Sequence, residues 1–448
     1  MFVLMILLFV VGYLIIAFEH ALNVNKAATA LLLGVLLWVC VIVGGELMFS
    51  GNISLKDYLM RDSGNNFISW VVNLKLVESL AEIAQIIFFL LGAMIIVELV
   101  DTQRGFQMIT DRIKTTHKVK LLWIISIFAF FLSAVLDNMT TAIVMVALLR
   151  KLIADKKDKL FFGSMIIIAA NAGGAWSPIG DVTTIMLWIG EKVTALNIIE
   201  MVFFASFTSL VVPLIILSFF MKGRVTRPAH TTYSNEDSIP QWQQTLFLIL
   251  GVGGLLFVPL FKTITHLPPY LGMLGALAVI WIVSEIVHRK SDTAMKSKYS
   301  ITHVLTKIEI STILFFLGIL LAVSALQTAG HLEVLGARLD TIPLSEPSKY
   351  YAINIIIGLL SSIVDNVPLV AGAMGMYNFG CDHYFWEFLA YCAGTGGSIL
   401  IIGSAAGVAV MGMEKIDFMW YLKKISWIAL LGYFAGASVF IFQKFIFL

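Results

Sequence analysis

Long hydrophobic runs separated by short polar connections dominate the pattern of this sequence. Eight runs are uninterrupted and long enough to cross a bilayer as helices: 2–18, 27–45, 79–100, 200–221, 243–261, 270–288, 309–328 and 425–447. Four further apolar stretches contain polar or glycine-rich interruptions: 119–149, 160–190, 350–376 and 384–413. Since backbone groups in a bilayer must be satisfied inside the protein, the pattern predicts an all-α integral membrane protein.

Three short blocks occur twice along the chain, in the same order. The first block, Phe88–Gly92, is similar to Phe315–Gly318, and the second, Ser133–Asn138, is similar to Ser361–Asn366. The third block consists of residues 172–174 followed by Gly180, and it is similar to residues 395–397 followed by Gly403. The Asp-Asn pairs are separated by 228 residues and the Gly-Gly pairs by 223, so one ancestral unit with small insertions explains both.

The basic residues predict an orientation for these repeats. Lys and Arg flank the stretch 119–149 at both ends, which favours a re-entrant hairpin over a crossing helix. With 350–376 as the equivalent hairpin, the cytoplasmic connections hold 22 of the 30 basic residues. The span 79–100 then runs inward and 309–328 runs outward, so the repeats are inverted. Both termini are expected on the non-cytoplasmic side.

This reasoning predicts four segments. Residues 1–78 form N-terminal scaffold helices, 79–221 the first repeat, 222–308 connecting helices and 309–448 the second repeat. Each repeat combines a hairpin, 119–149 or 350–376, with a broken helix, 160–190 or 384–413. Inverted repeats with broken helices are typical of secondary transporters, whose binding sites lie where the interruptions meet.

Composition excludes other classes of protein. The chain is 59% hydrophobic and 13% charged, with a mean hydropathy of +0.93, which excludes a soluble protein. Residues 1–18 lack a basic start and a small-residue cleavage site, so they are expected to remain as a first transmembrane helix. No zinc, nucleophile-elbow or phosphate-loop motif occurs in the sequence. We therefore expect neither an enzyme nor a bound cofactor, and an ion gradient is the expected driving force for transport.

Three aspartates inside the interrupted stretches carry the candidate chemistry: Asp137, Asp181 and Asp365. An uncompensated carboxylate at membrane depth costs about 2.5–3.5 kcal/mol or more. A carboxyl group that is removed from water beside like charges has a raised pKa, so a proton and a small cation can compete for it. Each aspartate also precedes a half-helix, which leaves helix capping open as an alternative.

Neutral oxygens at the breaks complete the predicted cation and proton site. They belong to Asn138, Thr140, Thr141, Asn171, Ser177, Thr184, Asn366, Thr395 and Ser398. Direct ligands of Na⁺ or Li⁺ are expected from Asp137, Asn138, Asn171, Asp181 and Asp365. For the threonines the alternative is a hydrogen bond to their own helix.

These motifs resemble the NhaD sodium/proton antiporters of the ion transporter superfamily. The resemblance covers nearly the whole chain and is most specific at 133–141, 171–184, 361–368 and 393–398. It implies a transport domain of two hairpins and two broken helices that moves like an elevator against a dimerising scaffold. It also implies hairpin tips at Asp137-Asn138 and Asp365-Asn366, and helix breaks at 171–181 and 393–404.

The expected function is exchange of Na⁺ or Li⁺ for H⁺. We expect a homodimer in the lipid of a bacterial inner membrane, with no nucleic acid as a partner. In the dicarboxylate branch of the superfamily the tips look like Ser-Asn-Thr, whereas Asp replaces that first Ser here, which favours a cation as substrate. A sodium-coupled anion symporter or an arsenite exporter of the same superfamily remains an alternative, although no break contains a basic residue. Ser404 stands where the first repeat has Asp181, so the two half-sites are unequal.

Overall fold

The computed structural model describes residues 1–17, 19–22, 24–49, 53–61, 66–106, 113, 115–228, 239–289 and 299–447. The predicted end of the first run at Phe18 lies outside these residues. Parts of the predicted segments 79–221 and 222–308 also lie outside them. The described chain is built from helices, with short helical turns at Glu19–Leu22, Glu46–Phe49 and Phe67–Ser69.

The first helices are α1 (Phe2–Ala17), α2 (Lys26–Gly44), α3 (Ile53–Arg61), α4 (Val77–Thr102), α5 (Lys118–Ser133), α6 (Asn138–Leu152), α7 (Lys156–Ala175), α8 (Val182–Ile189), α9 (Ala195–Phe220) and α10 (Gln241–Thr265). The remaining helices are α11 (Pro269–Val287), α12 (Ile301–Lys307), α13 (Ile310–Thr328), α14 (His331–Asp340), α15 (Ser348–Leu360), α16 (Asn366–Met376), α17 (Tyr384–Gly396), α18 (Ala405–Glu414), α19 (Phe418–Lys424) and α20 (Ser426–Phe447). Trp70–Leu76 is π-helical and leads directly into α4.

Seven helical segments in the described ranges are long and apolar enough to cross a membrane. They are Lys26–Gly44, Phe67–Thr102, Ala195–Phe220, Gln241–Thr265, Pro269–Val287, Ile310–Thr328 and Ser426–Ile446. The prediction of a multi-pass, all-helical membrane protein is therefore confirmed. The remaining uninterrupted run, 2–18, corresponds to α1, which has 16 residues.

Each of the four interrupted stretches consists of two helices with a non-helical break between them. The breaks separate α5 from α6, α7 from α8, α15 from α16 and α17 from α18. A polar side chain caps the helix after three of these breaks, since Asp137, Asp181 and Ser404 accept bonds from the first backbone N–H groups of α6, α8 and α18. Helices therefore end and begin at all four predicted interruptions. The two glycine-rich breaks are shorter than predicted, since α7 continues to Ala175 and α17 to Gly396, so that 171–175 and 393–396 are helical.

The chain forms two compact units. The first comprises Met1–Phe88, Glu309–Lys349 and Val367–Phe379. Its main helix pair is α2 against α13, where Trp38 Nε1 donates to Leu321 O at 3.1 Å. This bond satisfies the indole N–H inside an otherwise apolar contact.

The second unit comprises Phe89–Ile308, Tyr350–Asn366 and Gly380–Leu448, and it holds all four breaks. Within it α7 packs against α5, α6, α9, α17 and α18, and is buried on every side from Phe162 to Ala175. A helix that is hydrophobic all round is expected in such a central position. The end of this helix, where the predicted site begins, is therefore shielded from the surroundings of the unit.

Matching hydrogen bonds hold the two broken helices of the second unit. Ser133 Oγ donates to Ala170 O at 2.6 Å, and Ser361 Oγ donates to Ala393 O at 2.8 Å. These partners recur at the offsets of 228 and 223 residues that separate the repeated blocks. The equivalence of the two halves therefore extends to their packing, while the inversion and the segment boundaries stay predictions.

The backbones of these matching pairs approach so closely that a side chain has no room. A Cβ placed on Gly173 would lie 2.8 Å from Phe130 Cα, and one on Gly396 would lie 3.0 Å from Gly358 Cα. Glycine at both positions therefore permits the contact between α7 and α5 and that between α17 and α15.

We expect Gly173→Ala to destabilise the protein, because the new methyl group meets backbone atoms that cannot rotate away. Overpacking of this kind lowers the free energy of unfolding by about 1–3 kcal/mol. The measurement is the midpoint of thermal unfolding in detergent. Gly275→Ala in α11 is the matched control, since nothing lies within 4 Å of its new Cβ. Equal midpoints for the two variants would contradict the required contact.

Candidate functional site

The most deeply buried of the three aspartates is Asp181, which is 1% exposed. It precedes α8, and its Oδ1 accepts from Thr183 N at 3.1 Å. Its Oδ2 accepts from Asn138 Nδ2 at 2.9 Å. One carboxylate oxygen therefore caps the helix while the other faces a side chain from the first Asp-Asn pair.

The second Asp-Asn pair contributes to the same carboxylate. Asn366 Nδ2 lies 3.3 Å from Asp181 Oδ2 and 3.4 Å from Oδ1. Both asparagines are 6% exposed. Two amides at equivalent positions of the repeated block, 228 residues apart, therefore converge on one aspartate.

Asn171, in the last turns of α7, links this carboxylate to the second glycine-rich break. Its Oδ1 accepts from Asn138 Nδ2 at 3.1 Å. Its Nδ2 donates to Ser398 Oγ at 2.9 Å and to Ser404 Oγ at 2.8 Å. The side chain is fully buried, so all of its hydrogen-bonding capacity is directed to protein groups.

Asp137 is half-buried at the start of α6. Its Oδ1 accepts from Thr140 N at 2.8 Å, and its Oδ2 accepts a short bond from Thr140 Oγ1. Both oxygens are therefore engaged by the first turn of the helix, as the capping alternative requires. Because a carboxylate has about four acceptor positions, capping leaves room for a further ligand.

Asp365 is half-buried immediately before α16. Asp137 and Asp365 each stand one residue before an asparagine that contacts Asp181, so the three carboxylates belong to one region of the unit. In the described part of the chain, however, no three His, Cys, Asp or Glu side chains come close enough to share a metal ion. The arrangement is one central carboxylate with amides around it, flanked by two further carboxylates.

Several predicted hydroxyl ligands have structural partners. Ser177 Oγ donates to Ala134 O, which ties the break after α7 to the turn after α5. Thr395 Oγ1 donates to Tyr391 O of its own helix at 2.6 Å, and Thr184 Oγ1 donates to Asp181 O at 2.8 Å. These bonds fit the alternative considered for the threonines.

At this site, and among the residues that the structure describes, the buried hydroxyl groups of Thr141 and Thr183 accept or donate no hydrogen bond within 3.5 Å. Thr141 belongs to the predicted set, whereas Thr183, adjacent to the cap residue Asp181, does not. Ser404 is also absent from the predicted set, although it caps α18 and accepts from Asn171. Its position, 223 residues after Asp181, is the sequence signal that could have included it.

The helices, their breaks and the buried polar cluster define a multi-pass membrane protein with an internal hydrophilic site. The family model described as "Citrate transporter" matches residues 13–387. The chain therefore belongs to the citrate transporter family.

Curated relatives match over nearly the whole chain. "Sodium/proton antiporter 1" of Arabidopsis thaliana is 44% identical over 98% of this chain and 72% of its own length. "Sodium/proton antiporter 2" of the same plant is 42% identical over 98% of both chains. "Na(+)/H(+) antiporter NhaD" of Vibrio cholerae is 29% identical over 96% of this chain and 89% of its own. The resemblance to the NhaD antiporters is confirmed.

We expect Ser177→Ala to lower the thermal unfolding midpoint, because Ala134 O loses its donor inside the protein. Leaving a buried acceptor without a partner costs about 1–3 kcal/mol. Ser438→Ala is the matched control, since that exposed hydroxyl bonds only to its own helix at Phe434 O. If Ser177→Ala instead leaves the midpoint unchanged and weakens cation binding, Ser177 acts as a ligand and not as a tether.

Proposed function

We propose that this protein exchanges Na⁺, and also Li⁺, for H⁺ across a membrane, with cation and proton competing for Asp181. The observation that carries the proposal is a carboxylate 1% exposed, whose hydrogen bonds come from backbone and amide groups. None of the ion pairs found in the described ranges involves it. The relatives named as sodium/proton antiporters support the same function.

The charge of this carboxylate explains why exchange follows. Buried without a basic partner, an ionised Asp181 costs several kcal/mol relative to water, even with its hydrogen bonds. Either a proton or a small monovalent cation removes that cost, and one carboxylate cannot hold both. A site that crosses the membrane only when neutralised therefore carries a cation in one direction and a proton in the other.

The amides suit both states of the site. Asn138 and Asn366 direct their NH₂ groups at the carboxylate in this structure. Rotation of an amide about its terminal torsion exchanges NH₂ for carbonyl oxygen, which is a ligand for hard cations. Asn366 can in this way stabilise a free carboxylate and then help to coordinate Na⁺ or Li⁺, while Asn138 keeps its NH₂ group toward Asn171.

Asp137 and Asp365 have a supporting role in this scheme. Each stands one residue before an asparagine that contacts Asp181, so their negative charges attract a cation toward the site. Both remain partly accessible, unlike Asp181. They are suited to receive an ion before it reaches the buried carboxylate, or to complete its coordination.

We further propose the architecture expected from the sequence: two inverted repeats, a transport domain moving like an elevator, and a homodimer joined through scaffold helices. The matching bonds of Ser133 and Ser361 support the repeats. Placement in a bacterial inner membrane, with both termini outside the cytoplasm, belongs to the same proposal and follows from the distribution of basic residues.

Sodium-coupled anion symport is the second candidate function, because the family description names a citrate transporter. A carboxylate substrate would be expected to meet Arg or Lys, or two neutral pockets rich in Ser and Thr. The residues that contact Asp181 and Asn171 are asparagines, serines and one backbone amide of a threonine. This acidic and neutral lining favours a cation.

We expect NaCl and LiCl to release quenching of a pH-sensitive dye in inverted vesicles that contain the protein. Asp181→Asn should abolish this release, since asparagine can still cap a helix but cannot exchange a proton for a cation. Asp137→Asn should weaken it, because the charge that attracts the cation toward the site is lost. Asp417→Asn is the matched control, because that aspartate is an exposed cap of α19 that accepts from Trp420 N at 2.8 Å.

Size-exclusion profiles check that each variant is folded. Retained cation-triggered proton movement in folded Asp181→Asn would contradict the proposed role of this residue. If the wild type gives no response to Na⁺, Li⁺ or K⁺ between pH 6.5 and 9.5, and vesicles instead take up labelled citrate only with Na⁺, the anion symporter is supported.

A further inference from the structure

We propose that each protomer binds one cation per cycle, because the side chain of Asn171 fills the position that a second cation would take. This inference rests on the proposed function, since it concerns the number of cations at that site. The repeated blocks raise the question of number, because two similar halves could each hold an ion. The contacts of the second half give a physical reason why it does not.

The two halves differ at two matching positions. Ser404 stands 223 residues after Asp181, and Gly394 stands 223 residues after Asn171. The first half therefore has a carboxylate and an amide where the second has a hydroxyl and no side chain. The Asn171 side chain contacts serines of the second half. Gly394, its match in the second half, has no side chain that could make the equivalent contact with the first half.

The orientation of the Asn171 amide is fixed by a chain of bonds that starts at Asp181. A carboxylate accepts only, so Asn138 must present its NH₂ group to it. The same NH₂ group then meets Asn171, whose oxygen must be the acceptor at 3.1 Å. The NH₂ group of Asn171 is consequently left to face Ser398 and Ser404.

This NH₂ group lies where a cation would be coordinated. It is a donor 2.9 Å from Ser398 Oγ and 2.8 Å from Ser404 Oγ, with its partial positive charge between the two oxygens. Ser404 Oγ also accepts from Gly407 N at 3.1 Å. Because a hydroxyl oxygen has two acceptor lone pairs, Ser404 has none left for a metal ion.

A further candidate ligand of the second half, Asn366, is directed to the first half. Asn366 belongs to the second Asp-Asn pair, yet its NH₂ group faces both oxygens of Asp181 at 3.3 and 3.4 Å. Both halves thus supply an amide to Asp181. Asn171, Ser398 and Ser404 are all at most 3% exposed, so bulk water does not compete for these bonds.

The decisive experiment counts cations by isothermal titration of NaCl into the detergent-purified wild type and the Asn171→Asp variant. We expect one Na⁺ per protomer for the wild type, with a Hill coefficient of about 1 for antiport. Asn171→Asp keeps the shape of the side chain and the acceptor for Asn138, but it replaces the donor facing the serines with a carboxylate oxygen. We expect this variant to bind two Na⁺ per protomer.

A double variant locates the additional ion. Adding Ser404→Ala to Asn171→Asp should weaken the second binding event by at least about tenfold, because it removes one of the oxygens beside the new carboxylate. The first event should persist. An unchanged second event in this double variant would overturn the assignment of the position.

The outcomes separate this inference from the proposed function. Two Na⁺ per wild-type protomer would overturn the inference and leave antiport standing. One Na⁺ in both wild type and folded Asn171→Asp would also overturn it, since the amide would then not be what excludes the second ion. Absence of saturable Na⁺ binding in a folded wild type would overturn both. If Asn171→Asp fails to fold, the wild-type count decides.

Discussion

The structure of the second unit depends on one buried carboxylate, that of Asp181, which forms no ion pair with the basic side chains that the structure describes. Asp181 is stabilised by two asparagine amides and by the first backbone N–H groups of α8. Hydrogen bonds of this kind offset part of the cost of removing the charge from water, and a bound ion or proton would offset the rest. The unit therefore stabilises the carboxylate of Asp181 with neutral hydrogen-bond donors and leaves its negative charge to be neutralised by a bound ion or proton.

That requirement explains why helices are broken where they are. A carboxylate at membrane depth needs donors, and a continuous helix has none to give, because its N–H groups are bonded internally. Ending α7 and starting α8 at Asp181 frees those groups. The price is an irregular backbone, which is tolerated because close contacts such as Gly173 against Phe130 shield it from lipid. Capping and ion binding are thus compatible uses of one aspartate.

Much of this arrangement was predictable from the sequence, because the bilayer imposes its own pattern. Helix lengths follow from its thickness, and a charged or glycine-rich interruption in an apolar run must be a break or a site. The convergence of Asn138 and Asn366 on Asp181 was not predictable, since it depends on how helices far apart in sequence pack. The bond from the Ser177 hydroxyl to Ala134 O was not predictable for the same reason.

The inequality of the two halves follows from the same electrostatics. If both matching positions were carboxylates, each would need its own donors and its own neutralising ion, and their repulsion would add to the cost of burial. With Ser404 opposite Asp181, the second half carries no charge at that position, and the amide of Asn171 satisfies its hydroxyl oxygens. A repeat that began symmetric can in this way concentrate its binding on one carboxylate, with the second half supplying Asn366 as a ligand to the first.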